Sequence, residues 1–367
     1  MPLYTQIRSY IEDHIRTGRW REGHRLPSET HLARQFEVSR ITVKNAMSKL
    51  VEEGIIYRIQ GRGTFVAMNE GGEPLRYKKG ASSAGMIAFL IPRLDNRFTM
   101  NLLRGIERTL SEANIRILYL STHDDDQREE QLLQEAIDTG VKGIIIYPVD
   151  GETYNETILR LTMDRFPIVV IDRYLKGIDT NCVCSDHRGG AYQATEHLLI
   201  SGHRHIVFIT SLFKGTTSLE ERLEGYKQAL AEYQVPFRRQ YVVESTDSMS
   251  FRHLLLEHPE VTAAFAANEG IGQKVIEAAE SIGRQIPNNL SVVFFDDYER
   301  SEAARIPPTC VLQQEEEIGR QAAQLLLTLI ENPQQPRRSL RVPTQLMVRH
   351  STGRALLERR STKLPSN

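Results

Sequence analysis

Three short patterns near the N-terminus, in strict order, constrain this chain more than anything else in it: Leu26-Pro27-Ser28-Glu29, Val38-Ser39-Arg40-Ile41-Thr42-Val43-Lys44 and Gly61-Arg62-Gly63-Thr64-Phe65-Val66. Ser28, just after Pro27, can cap a helix carrying Leu32, Ala33 and Phe36 on one face. Glu37-Val38 makes a turn, and Ser39 can cap a second helix whose Val43, Ala46, Met47, Leu50 and Val51 form one apolar stripe. Arg40, Thr42, Lys44 and Asn45 lie off that stripe and face outward. Gly54 is placed to end the helix in a left-handed cap. Ile55–Ile59 and Thr64–Val66 then read as strands around Gln60-Gly61-Arg62-Gly63. Helix, turn, helix and glycine-tipped hairpin make a winged helix-turn-helix, which aims a helix end and a loop at one surface, as a DNA groove requires.

The residue types suit that task. Arg can fork onto guanine, Asn can pair with adenine, and a Thr methyl can meet a thymine methyl. Two glycines let backbone approach a phosphate or a minor groove, and Arg62 supplies charge. A small scaffold with a solvated basic face is the plainer alternative; the joint occurrence of cap, stripe, outward polar residues and Gly-Arg-Gly favours DNA. The candidate contacts are Ser28, Glu29, Arg40, Thr42, Lys44, Asn45, Gly61, Arg62 and Gly63. The quoted motifs, with Leu32-Ala33, Phe36, Leu50 and Glu53-Gly54, resemble the GntR family of bacterial winged-helix regulators over about the first 68 residues. The resemblance implies DNA contacts from Arg40, Thr42, Lys44 and the wing at Gly61, while Thr30 stands where many members have an Arg.

A chain of 367 residues exceeds one ordinary domain. Residues 1–80 hold 14 Lys+Arg against 9 Asp+Glu, and the remainder 32 against 38. A basic head on an acidic body fits a phosphate-facing module joined to one that faces something else. The three cysteines, Cys182, Cys184 and Cys310, have no CxxC spacing and suggest neither a disulfide framework nor a zinc site; Cys182 and Cys184 are expected to pack on one strand. No apolar run approaches a membrane helix and no signal peptide is evident, so a cytoplasmic protein without membrane contact is expected.

The expected organisation is a DNA-reading domain over 1–68, a flexible Gly/Ser-rich linker over 69–83, a larger unit over 84–352 and a mobile tail over 353–367. In the larger unit apolar runs alternate with amphipathic helices. Strand candidates are Met86–Ile91, Ile115–Leu120, Gly143–Tyr147, Ile168–Ile171, Ile206–Thr210, Ala263–Ala267 and Val292–Phe295. Helices between them include Leu102–Ala113, Glu129–Asp138, Gly189–Ser201, Arg222–Tyr233, Ile271–Ile282 and Glu317–Glu331. This alternation predicts two lobes of doubly wound parallel α/β structure, with a ligand beyond the carboxyl ends of the strands. The loops there carry Arg93, Asp95, Arg97, Phe98, Tyr147, Asp150, Arg173, Phe213, Lys214, Asn268, Asp296 and Asp297. Fixed amides, carboxylates and guanidinium groups beside aromatic walls suit a small polyhydroxylated ligand. Each alone reads more simply as a cap or solvent-facing loop residue; the set points to a site. The effector-site candidates are Arg93, Asp95, Arg97, Phe98, Tyr147, Arg173, Phe213, Asn268 and Asp296.

An ordered series of stretches here resembles the LacI/GalR regulators and related periplasmic sugar-binding proteins over roughly residues 84–350: Asp95-Asn96-Arg97-Phe98, Arg104-Gly105-Ile106-Glu107, Val170-Ile171-Asp172-Arg173, Asp186-His187-Arg188-Gly189-Gly190, Arg222-Leu223-Glu224-Gly225-Tyr226, Asn268-Glu269, and Pro287 through Asp296-Asp297. The resemblance implies a periplasmic-binding-protein-like fold and effector contacts from Phe98, Arg173, Asn268 and Asp296. Glu269 replaces a usual Asp, and Phe294-Phe295 a usual Gly-aromatic pair. A GntR-type reader on such a domain resembles the arabinose-repressor subgroup.

Other chemistry finds little support. His203 and His205 alternate near a strand start and read as turn and surface histidines, and His123-Asp124-Asp125-Asp126 reads as a solvated loop capping a helix, so no metal or cofactor is expected. No Walker motif or nucleophile elbow occurs, and the only tryptophan, Trp20, lies in the DNA-reading segment. The expected function is a homodimeric repressor on a palindromic double-stranded DNA operator, released by a monosaccharide, L-arabinose or another pentose first. The alternatives are a sugar-modifying enzyme tethered to DNA, an architectural DNA binder, and a regulator answering to a purine or sugar phosphate.

Overall fold

The computed structural model describes residues 3–21, 23–53, 55–59, 63–66, 85–149, 155–211, 214–297 and 304–355. The chain divides into two compact units, Met1–Ser82 and Ser83–Asn367.

In the first unit α1 (Leu3–Arg16), α2 (Glu29–Gln35) and α3 (Arg40–Glu52) precede an antiparallel hairpin of β1 (Ile56–Ile59) and β2 (Gly63–Val66), with Tyr57 opposite Phe65. Both expected caps form: Ser28 Oγ accepts from His31 N and Ser39 Oγ from Thr42 N, each at 3.2 Å. Glu37 turns the chain between α2 and α3 with φ 52°. The α3 stripe of Val43, Ala46, Met47 and Leu50 closes on Leu32, on Ile7 and Ile11 from α1, and on Ile56 and Val66. Burying each such aliphatic side chain stabilises the unit by about 1.5–3 kcal/mol. Val51, expected in the stripe, is exposed. Eight residues on from Val43 it stands roughly 80° around the helix, off the core face. Gly54 lies outside the described residues.

The second unit has two lobes. The first is a six-stranded parallel sheet, ordered β13-β7-β6-β5-β3-β4, of β3 (Met86–Ile91), β4 (Arg116–Ser121), β5 (Ile144–Ile146), β6 (Ile168–Ile171), β7 (Cys182–Ser185) and β13 (Ser339–Val342). Its helices are α4 (Arg97–Glu112), α5 (Asp126–Thr139), α6 (Glu156–Met163) and α11 (Glu315–Glu331). The second lobe repeats the plan in the order β14-β12-β11-β10-β8-β9. Its strands are β8 (Ile206–Thr210), β9 (Val242–Glu244), β10 (Ala263–Ala266), β11 (Ser291–Phe295), β12 (Thr309–Leu312) and β14 (Gln345–Met347), the last antiparallel. Its helices are α7 (His187–Ile200), α8 (Thr217–Glu232), α9 (Ser248–Glu257) and α10 (Glu269–Ser281).

Each sheet is buried on both faces, which is why its strands are continuous apolar runs. Cys182 and Cys184 are buried side by side on β7, as expected. α4 and α11 cross at backbone contact: a Cβ on Gly105 would sit 2.0 Å from the Glu316 carbonyl, and one on Gly319 2.2 Å from that of Leu102. The chain passes between lobes three times, at β7 to α7, β12 to α11 and β13 to β14. Both sheets reverse strand order between their first and third strands in sequence, so both place a topological switch point at the interlobe gap.

His203 departs from its surface assignment. It is buried, its Nδ1 is 2.9 Å from Thr262 Oγ1 and its Nε2 is 3.1 Å from the Gly353 carbonyl. A tight turn after α7 carries the ring inward, where burial lowers its pKa. His205 is half-buried against Tyr241. At the start of the expected tail, Gly353 N donates to Ser291 Oγ and Ala355 N to the Ser201 carbonyl. Residues 356–367 and the linker 69–83 fall outside the described residues.

Candidate functional site

Two surfaces gather the candidate functional residues, one in each unit. In the first, Arg40, Lys44 and Asn45 are exposed on the opening turns of α3, and Thr42 is half-buried with its hydroxyl 2.9 Å from Ser39 Oγ. Ile41, passed over in the sequence, is 70% exposed beside them. An aliphatic side chain presented there can cover a thymine methyl. The Glu29 carboxylate accepts from Arg58 at 2.7 Å and stands 3.9 Å from Arg40. Gly63 opens β2 at φ 124°, with Arg25 packed against it. Gly61 and Arg62 lie outside the described residues.

In the second unit a cavity of about 320 Å³ opens between the lobes, at the carboxyl ends of both sheets. Arg93, Asp95, Phe98, Tyr147, Arg173, Asn268 and Asp296 line it, joined by Thr99, Asp172, Thr216, Ser218, Arg222, Glu269 and Gln313. Phe213 lies outside the described residues. Arg97 turns away into a neighbouring cavity and donates to Asp297 at 3.2 Å; as the first residue of α4 it points past the cleft that Phe98 faces.

Local structure explains the lining. Asn96, Thr216 and Asn268 are the residues before α4, α8 and α10, so three helix N-termini, the positive ends of their dipoles, face one cavity. Asn268 Oδ1 accepts from Ile271 N at 2.9 Å, which commits the oxygen to the cap and leaves the amide N–H groups for a ligand. Asp172 and Asp296, at equivalent strand ends of the two lobes, both hold left-handed backbone, φ 66° and 69°. Such conformations in residues other than glycine gather at functional sites. Phe98 and Tyr147 meet edge to face at 6.1 Å, and Arg173 lies 4.6 Å from the Tyr147 ring centroid while bonding the Pro148 carbonyl.

The arginines are matched by carboxylates. Arg93 pairs with Asp124 at 2.7 Å, Arg173 stands 3.7 Å from Asp172, and Arg222 stands 3.7 Å from Asp296. Arg222 lies flat on Phe295, 3.8 Å from the ring centroid, and donates to the Ala267 carbonyl. The unusual Phe294-Phe295 pair is thereby explained. Phe295 forms the bed of Arg222, while Phe294 packs on Gly272 of α10, where a Cβ would come within 2.3 Å of its ring. Gln313, on the second crossing, donates to Asp296 Oδ1.

Burial, and then the Asp296 carboxylate, raise Glu269 to about 7. A carboxyl raised in the folded state contributes stability that is complete below its unfolded value near 4.5 and is lost as pH rises through 7. Glu269→Gln is therefore expected to unfold at a higher temperature than the parent at pH 8 and close to it at pH 5. An equal difference at both pH values would contradict this.

Comparison with known proteins matches the profile of bacterial regulatory proteins of the gntR family to residues 3–66, and that of the periplasmic binding protein-like domain to residues 195–352. The chain is 30% identical to the arabinose metabolism transcriptional repressor of Geobacillus stearothermophilus, over 90% of this chain and 92% of that one. The chain belongs to the arabinose-repressor subgroup of GntR/LacI-type transcriptional repressors. The counterpart from Halalkalibacterium halodurans is 28% identical over 97% of this chain and 98% of its own. Among solved structures, a LacI family regulator from Enterococcus faecium with bound ribose superposes with TM-score 0.62 at 26% identity, covering 73% of this repressor and 98% of that chain. A putative ribose operon repressor from Burkholderia thailandensis shares the fold, TM-score 0.66 at 23% identity, over 72% and 99%.

Sequence reasoning missed Arg222 and Gln313 among the residues lining this repressor's cleft, although Arg222 heads a quoted motif. A cue was present: Arg222 falls beside Leu223 and Tyr226 on the apolar stripe of a helix that has to pack on the sheet. Among the described residues no group of three or more His, Cys, Asp or Glu is placed to hold a metal ion, and no helix is long and apolar enough to cross a membrane.

Proposed function

We propose that the interlobe cleft binds a neutral monosaccharide, L-arabinose first and D-ribose second, and that binding releases the repressor from its operator at sugar-utilisation genes. The observation that carries this reading is the charge pairing of the cleft. Each of its three arginines faces a carboxylate, and Asp95 and Glu269 add further acidity. A phosphate would meet that acidity unpaired, which disfavours sugar phosphates; hydroxyls can both donate to the carboxylates and accept from the arginines. The aromatic edge of Phe98 and Tyr147 can cover ring C–H faces, and about 320 Å³ stands at the small end of ligand pockets. The names of the two arabinose repressors and of the ribose-bound regulator favour a pentose. The reading has no enzymatic step, consistent with relatives that are transcriptional regulators.

The operator-bound form is a homodimer in this reading, two DNA modules meeting a palindrome with half-sites about one helical turn apart. Exposed Tyr119 on β4, and Met249 and Leu256 on α9, are apolar side chains that such pairing would cover. The test is thermal unfolding against pentoses, hexoses, sugar phosphates and purines. A one-site ligand at 100 times its dissociation constant stabilises the native state by about 2.7 kcal/mol. Selective stabilisation by a free pentose is expected; stabilisation by a phosphate ester or a purine alone would overturn the sugar assignment.

A further inference from the structure

We propose that His187 is a positioning residue, which orients the Arg222 guanidinium at the cleft floor and ties that orientation to the lobe-1 backbone at Asp172. The proposal rests on the cleft being the effector site. His187 is the first residue of α7, directly after the first crossing between lobes, and is 1% exposed. Its Nε2 lies 2.9 Å from the Asp172 carbonyl oxygen, with an Asp172 carboxylate oxygen at 3.8 Å. A carbonyl only accepts, so Nε2 carries the hydrogen and Nδ1 keeps its lone pair. Arg222 Nη2, which only donates, points at that lone pair from 3.3 Å. One form of the ring, neutral with hydrogen on Nε2, satisfies both neighbours. An imidazolium would set an N–H against the guanidinium, and burial together with Arg222 holds the ring neutral, with its pKa pushed down to about 3.

The Phe295 ring beneath Arg222, the Ala267 carbonyl and Asp296 all belong to lobe 2. His187 is the neighbour that adds a lobe-1 anchor. Moving Asp172 relative to lobe 2 therefore turns the imidazole and takes the acceptor away from Arg222. The guanidinium is held for a ligand hydroxyl only in one arrangement of the lobes, which makes recognition conditional on that arrangement.

Two variants of the full-length protein separate this from simple packing. His187→Asn places an oxygen where Nδ1 stands and keeps the acceptor for Arg222. His187→Gln places an amide nitrogen where Nε2 stands, keeps the bond to Asp172 and loses that acceptor. With circular dichroism verifying the fold, L-arabinose and D-ribose binding is measured by calorimetry. The Arg222 Nε–H resonance, assigned by its loss in Arg222→Lys, is recorded without sugar. His187→Asn is expected to bind within about threefold of wild type and His187→Gln about tenfold or more weakly, the scale of one hydrogen bond to a charged group. The Arg222 signal should stay sharp in the first and broaden in the second. Equal affinities in both variants, or an Arg222 signal indifferent to either change, would overturn the proposal. If the wild type binds neither pentose, the effector reading falls, and the sugar-free Arg222 signal still decides whether His187 positions that side chain.

Discussion

Arg222→Ala is expected to cost the large unit about 3–5 kcal/mol, because it leaves the buried Asp296 carboxylate without its cation. Arg222 is 4% exposed and Asp296 9%, so water cannot take over the arginine's role. Burial already pushes the Asp296 carboxyl up, with Arg222 opposing that rise, and removing the arginine leaves burial unopposed. The variant also strips the cation from the face of Phe295 and the donor from His187 Nδ1. For a unit of this size the loss should lower the unfolding midpoint by roughly 10 °C. Pentose binding should disappear with it, and instability alone would be a trivial cause. Arg222→Met combined with Asp296→Asn separates the two. With no buried charge left unpaired, most of the stability should return, while sugar affinity should not. Recovery of both would remove Arg222 and Asp296 from the recognition scheme.

Arg40→Ala is expected to weaken operator binding by about 1–3 kcal/mol, roughly 10- to 100-fold, and to relax sequence preference at one base position. Its side chain is 69% exposed and its nearest carboxylate, on Glu29, stands at 3.9 Å, so stability should hardly change. Lys44→Ala should behave differently, weakening binding about uniformly across sequences and reducing the slope of log affinity against log salt by about 1. Competition binding at several salt concentrations distinguishes them. An Arg40 variant that loses affinity equally for all sequences would make Arg40 a phosphate contact instead of a base reader.

The fold was legible wherever a segment buries one face or two. Met86–Ile91, Ile168–Ile171 and Ile206–Thr210 are strands with the bounds that their apolar runs suggest, since both faces of each sheet are covered. Helix starts were read late for a physical reason. α4 begins at Arg97 and not Leu102 because the Asn96 cap starts the helix on a turn whose Phe98 faces the cleft and whose Met100 is exposed, ahead of the core-facing stripe. α6, α9, β9, β12, β13 and β14 were not delimited; they run three to ten residues, too short for a period to stand out, while the 14-residue α1 was passed over despite Ile7 and Ile11 four apart on its buried face.

The cleft was legible as loops after strands, and less so as chemistry. Asn268 and Arg222 show why. The sequence marks Asn268 as polar at a strand end without revealing that the helix N-terminus claims its oxygen. Arg222 lies inside a helix and His187 opens one; the meeting of Arg222 with Asp296 depends on how α8 packs beside β11, and that of His187 with Asp172 on the first chain crossing between lobes. In the DNA unit, Glu29 stands among the sequence candidates for DNA contact. Its bond to Arg58, 29 residues on, depends on the return of the hairpin.

Operator affinity with and without sugar is the decisive measurement. The full-length protein is bound to a duplex selected by it in vitro, at fixed salt, and L-arabinose and D-ribose are titrated while anisotropy follows the DNA and calorimetry follows the sugar. A repressor released by its effector binds the sugar more tightly off DNA than on it, so saturating pentose should weaken operator binding by about 5- to 150-fold, the usual range of such coupling. A pentose that binds the cleft and leaves operator affinity unchanged would contradict the account.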